Sequence, residues 1–311
     1  MQIRFYLVDV FAERPITGNP LAVVPQAESL DDLAMQQIAR EFNQAETTFL
    51  LHARQASADW RLRSFTAAGV EVFGAGHNSL GGWWWLAESG VLKLSDGQNR
   101  FTQEIGDRLL PVEIHCEGQR VASVVLTQTP PVYGSRCEDV SALARSLGLE
   151  EHDLMPQLLP AQVVSTGAAH LLVAVRSREA VGRACPDVAQ LATILHAIGG
   201  QGCYLFCLDT ASPSSTAPSS SSTAPSPSST AHARFFNPTA GIVEDSATGS
   251  AAGPLACQLI AHGIAKDGDT VVIEQGYEMQ RPSLLSVHVS GGLVRLAGRC
   301  VTVGEGVLRV R

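Results

Sequence analysis

A motif that occurs twice constrains this chain more than any other feature. The stretch Gly241–Gly253, GIVEDSATGSAAG, holds an acidic pair, Glu244–Asp245, and a turn of Gly, Ser, Thr and Ala. It leads into PLACQLIAHG, whose Leu255, Leu259 and Ile260 recur at helical spacing. Setting Arg61–Gly90 against Arg234–Gly263 at a constant offset pairs Glu71 with Glu244, Gly76 with Gly249, His77 with Ser250 and Gly90 with Gly263. A two-residue gap also brings Phe65 and Thr66 onto Phe236 and Asn237. Each copy reads as strand, acidic turn, glycine-containing polar turn, then a helix ending at glycine. One copy alone is also what a well-capped helix after a tight turn looks like. Two copies predict two halves of similar fold, with two helix N-termini facing each other across a site. Unpaired first-turn N–H groups and the positive end of each helix dipole suit such a site to a substrate carboxylate. The small residues let a ligand approach the backbone.

A chain of 311 residues accommodates two cores, and the net charge of −8 argues against a nucleic-acid surface. No run of 18 apolar residues appears, so no membrane span is expected. The start, MQIRFYLVDVFAE, alternates like a strand and places charges where a signal peptide needs an apolar core, which predicts a cytoplasmic protein. Seven scattered cysteines read as reduced, mostly buried thiols, and no Cys/His cluster completes a metal site.

The segment PPVYG reads as the crossing between the halves, giving 1–129 and 130–299, with strand 300–311 available to return and complete the first half. Residues 210–231 are nearly all Ser, Thr, Pro and Ala, which predicts a disordered surface insertion. Asn19 is expected to shape a turn rather than to meet a ligand. Glu46, between a helix end and the strand Thr47–Leu51, is either a solvated edge glutamate or a partly desolvated carboxylate suited to proton transfer. His77 falls at a helix N-terminus, where the dipole keeps an imidazole neutral and where a cap is as natural as a catalyst. His170, flanked by apolar residues, reads as packed. Trp83, Trp84 and Trp85 cannot share one helix face, so one is expected in the core and another at a cleft or partner subunit.

GNPLAVV, NQAETTF, AGHNSLG, EDSATGSAAGPLA and QGYEMQRPS stand in the order found in the PhzF family, which the chain resembles over nearly its whole length. The resemblance implies an α+β architecture of diaminopimelate epimerase-like fold. Two pseudo-symmetric halves would each wrap a curved, mostly antiparallel sheet or barrel around a central helix. It also implies a homodimer, and a cofactor-independent isomerase with no metal that moves a proton and a double bond in a small amino or hydroxy carboxylic acid. Glu46 matches the family's proton-shuttling glutamate. His77 and Asp245 match its other catalytic positions, and Gly76, Asn78, Ser79, Gly249 and Ser250 are assigned to substrate binding. The related epimerases use two opposed cysteines, and the corresponding positions here are read as Ala75 and Ser246, neither a thiolate base. Epimerisation or dehydration of a similar acid, and a non-catalytic acid-binding protein, remain as alternative readings.

Overall fold

The computed structural model describes residues 1–210 and 229–310. The first half runs β1 (Gln2–Val10), β2 (Asn19–Val24), α1 (Asp32–Phe42), β3 (Glu46–His52), β4 (Trp60–Thr66), β5 (Glu71–Val72), α2 (His77–Glu88), β6 (Gly97–Ile105), β7 (Arg108–Glu117), β8 (Arg120–Gln128) and β9 (Val132–Arg136). The second continues with α3 (Val140–Ser146), β10 (Gln162–Ser165), β11 (Ala169–Ala174), α4 (Arg178–Arg183), α5 (Val188–Ile198), β12 (Gly202–Cys207), β13 (Ala231–Asn237), β14 (Ile242–Asp245), α6 (Gly249–Ala261), β15 (Thr270–Gln275), β16 (Ser283–Ser290), β17 (Leu293–Gly298) and β18 (Cys300–Arg309).

The strand pairings repeat. β1 and β2 pair antiparallel, β2 and β3 parallel, β3 and β4 antiparallel, and β4 runs parallel to β6. The set β10, β11, β12, β13 and β15 follows the same scheme. Each half therefore folds as the repeat requires, and the halves join through β8 on β17. Each also lends the other its last strand: β9 lies antiparallel on β10, and β18 lies antiparallel on β1.

Each ladder curls around one helix. α2 is apolar on every side, and Leu80, Trp83, Trp84, Leu86 and Ala87 are buried against the surrounding strands. A helix apolar all round has no face to give to water, so it must be a core. α6 fills the same place in the second half, with Ala251, Ala252, Leu255, Ala256 and Leu259 buried. Trp83 donates its indole N–H to Gln103 at 3.0 Å, Trp84 is buried, and Trp85 lies tilted against Tyr6 at 4.9 Å between centroids. Trp83 and Trp84 fill the core, and none of the three lines the cavity described below.

The repeat extends to side chains. Arg63 grips Glu71 with two hydrogen bonds of 2.7 Å and lies 5.1 Å over the Phe65 ring. Arg234 grips Glu244 with two of 2.8 Å and lies 4.9 Å over Phe236. Arg63, not Arg61, is thus the partner of Arg234. The constant-offset alignment missed it because the turn before Glu244 is two residues longer.

All seven cysteines are free and all but Cys185 are buried. Most of the 210–231 segment lies outside the described residues. At its ends, Thr210 donates to the Ser229 carbonyl at 3.3 Å, and Ala231 already opens β13 as a fully buried residue.

Candidate active site

The N-termini of α2 and α6 border one cavity of about 430 Å³ between the halves. Of the residues assigned from the sequence, Glu46, Gly76, His77, Asn78, Asp245, Gly249 and Ser250 all line it. Ser79 does not. Successive helical residues turn by about 100°, and Ser79 is carried around to the core side of α2, fully buried. Ser246 is also turned away, its hydroxyl donating to the Gly18 carbonyl at 3.1 Å. The residue that caps α6 beside the cavity is Thr248.

Glu46 opens β3, where the chain leaves α1 through the left-handed Asn43 cap. Its Oε2 is shut off from solvent and has no hydrogen-bond partner. Burial, and then the charge of Asp245, push its pKa up to about 8. A carboxyl in that state exchanges protons near neutral pH, which is the condition for efficient acid–base work on carbon.

Asp245 is held differently. Its Oδ1 accepts from Asn19 at 2.7 Å and its Oδ2 from Thr248 at 2.5 Å. Burial raises its pKa to about 6, against the pull of the Thr248 and Asn19 hydrogen bonds. Behind it, Gln275 donates to the Asp245 carbonyl at 2.8 Å and accepts from the Thr248 N–H at 3.0 Å and the Tyr204 hydroxyl at 2.9 Å. A satisfied buried network of this kind fixes geometry. Asn19, read as a turn residue, is part of it: it crosses from the first half to hold a carboxylate of the second, and it also donates to the Ala247 carbonyl at 2.9 Å. Nothing in the local sequence around Asn19 announces a partner 226 positions away.

His77 is the first residue of α2, and burial lowers its pKa to about 4, so the ring is neutral at physiological pH. Its Nε2 is buried without a protein partner. Asn78 touches the cavity but spends its amide on the loop: Oδ1 accepts from the Gly76 N–H at 2.8 Å, and Nδ2 donates to Ser64 at 3.1 Å and to the Gly74 carbonyl at 3.0 Å. Gly249 lines the cavity, and packing also requires a glycine there, because a Cβ would lie 2.5 Å from Leu296. At Gly76 a Cβ would meet only Asn78 Oδ1, at 3.6 Å.

His170, read as packed, is packed, and it also borders the cavity. It sits on β11 at the cavity, 3% exposed, with Nε2 3.0 Å from Ser250 Oγ and Phe235 edge-on at 4.9 Å. Burial lowers its pKa to about 4. Its apolar neighbours in sequence gave no sign that the ring borders a site, although the same residue type beside a glycine turn was a usable hint.

A family model described as phenazine biosynthesis-like protein matches residues 8–306. The chain belongs to the PhzF family. It is 29% identical, over 98% of both chains, to trans-2,3-dihydro-3-hydroxyanthranilate isomerase of Pseudomonas chlororaphis. The crystal structure of a Bacillus anthracis PhzF-family phenazine biosynthesis protein superposes with a TM-score of 0.86 at 26% identity, covering 100% of each chain. A hydroxyproline epimerase from Agrobacterium vitis shares the fold alone, with a TM-score of 0.66 at 14% identity over 99% of this chain and 92% of the other. This PhzF-family chain is accordingly an isomerase of diaminopimelate epimerase-like fold. Among its described residues no three His, Cys, Asp or Glu side chains cluster as metal ligands, and no helix is long and apolar enough to cross a membrane.

Proposed function

We propose that this PhzF-family protein is a cofactor-independent isomerase that moves a proton and a double bond in a small amino or hydroxy carboxylic acid, with Glu46 as the proton shuttle. The observation that carries the reading is the free Glu46 Oε2, buried in the cavity opposite an Asp245 whose two oxygens are both engaged. Glu46 takes a proton from carbon beside an unsaturated system, and the C–H electrons form the new double bond. The electrons of the old double bond then take the proton back from Glu46 at that bond's far carbon, so the step is neutral in atoms and electrons. One carboxylate serves both carbons because its two oxygens span them. Charge that develops on the substrate meets the first-turn N–H groups of α2 and α6, while neutral His77 offers a hydrogen bond without repelling a cation.

The architecture also disfavours a second base. Glu46 faces Thr66 across β3 and β4, and Cys203 faces Phe236 across β12 and β13. One rung further, Gly202 falls opposite Asn237, the repeat partner of Thr66, so the second half holds glycine where the first holds its glutamate. The substrate named for the Pseudomonas relatives, trans-2,3-dihydro-3-hydroxyanthranilate, is the first candidate. Solvent-deuterium exchange into that compound and into a panel of cyclic and unsaturated acids tests the reading. Deuterium is expected at carbon with the wild type and not with Glu46→Gln; equal incorporation with both removes Glu46 from the role.

A further inference from the structure

We infer that His170 is a positioning residue that turns the Ser250 hydroxyl proton into the cavity, making the second-half wall a subsite for a carboxylate held by neutral donors. The inference deepens the isomerase reading and rests on it for the identity of the cavity.

Two nitrogens of one buried ring decide the matter. Nε2 lies 3.0 Å from Ser250 Oγ, and Nδ1 is sealed from solvent with no partner. In the neutral ring one nitrogen carries the proton and the other a lone pair. A buried N–H left without an acceptor is the rarer and costlier state, whereas an unmatched lone pair is better tolerated. The proton therefore belongs on Nε2, which donates to Ser250 Oγ. The Ser250 oxygen is then an acceptor toward His170, and its own proton is free for another partner. Ser250 is the second residue of α6 and lines the cavity, so that partner is a ligand oxygen beside the first-turn N–H groups of Gly249 and Ser250. Without the ring, the hydroxyl of a serine in a helix is free to turn back onto the carbonyl one turn earlier.

The fold does not require a histidine here. Parallel pairing sets Leu21 beside Glu46 in the first half and His170 beside Gly202 in the second, so the repeat counterpart of His170 is Leu21, a fully buried core residue. The edge-on Phe235 ring, 4.9 Å away, fixes the plane of the imidazole and aims Nε2.

Calorimetric titration with anthranilate and with its neutral analogue 2-aminobenzamide tests this without needing turnover. The wild type is expected to prefer the carboxylate. Ser250→Ala and His170→Leu should each weaken anthranilate binding about tenfold, as loss of one charge-assisted hydrogen bond does, and leave the amide nearly unchanged. In the Ser250→Ala background, His170→Leu should cost nothing further, because the ring acts through the hydroxyl. His170→Gln, whose amide N–H reaches the place of Nε2, should recover most of the affinity. Wild-type binding that does not favour the carboxylate, additive losses in the double variant, or equal losses for acid and amide would each overturn the inference. Deuterium exchange by the wild type judges the isomerase reading separately.

Discussion

The two halves share a scaffold and differ at the positions that line the cavity. Arg63, Phe65 and Glu71 recur as Arg234, Phe236 and Glu244 with nearly the same geometry, and both central helices are buried on all sides. At the cavity the correspondence fails. Glu46 answers to Gly202, Asp245 to Val72, and His170 to Leu21. Each half supplies one carboxylate from a non-equivalent position, one free and one locked. Duplication fixes packing because both copies must bury the same helix; it leaves the cavity wall free to diverge because that wall faces a ligand with no symmetry of its own.

The largest test of this asymmetry is Glu46→Gln. Turnover should fall about 10³-fold, within the range general acid–base catalysis supplies, while Asp245→Asn should cost only about 10²-fold, as loss of an electrostatic contact does. If the aspartate variant were the more damaged, the roles of the free and locked carboxylates would be exchanged. Asp245→Asn should also move the ionisation that governs kcat/KM downward from about 8, because the Asp245 charge is one of the two causes holding Glu46 high. A pH profile left in place would show that the two carboxylates do not sense each other.

The scaffold half of the comparison breaks or holds on Arg63→Ala and Arg234→Ala. Each strands a half-buried glutamate and should lower stability by about 2 kcal/mol in chemical denaturation. Arg234 should lose more, since it also donates to the carbonyls of Val181 and Ala184. Neutrality of either one would mean that the matched geometry is not matched energetics.

The smallest effect is on stability. Glu46 holds its proton in the folded state up to about 8, whereas an unfolded glutamate releases it near 4.5. The stabilising contribution is therefore complete below pH 4.5 and is lost as pH rises through about 8. Glu46→Gln should match the wild type at pH 4 and exceed it by about 2 kcal/mol at pH 9, less than the full shift would give because water still reaches part of the side chain. Equal stability across that range would place the carboxyl in water.

The fold was legible because its signals are periodic: strands, acidic turns and helices recur at a near-constant offset, and apolar faces mark what must be buried. Short motifs pointed to Glu46, His77, Asp245 and Ser250, which the fold brings to one cavity. Three things escaped. Ser79 lies only two residues beyond His77, yet two helical steps turn it into the core. Ser246, read only as the counterpart of an epimerase cysteine, is turned away from the cavity, and Thr248 lines it. Asn19 and His170 act through partners on distant strands, and only the closed topology brings those partners within reach.

The exchange of end strands has a consequence for biosynthesis. Gln2 pairs with Arg309 and Val10 with Cys300, so β1 has an open edge until residues 300–309 have been made. A chain emerging from the ribosome can wrap its first sheet around α2 early, but it cannot close that sheet by itself. Contacts this distant in sequence form slowly, and the exposed edge of β1 is a template for a neighbouring nascent chain. A strand made about 290 residues later is the one that shields β1.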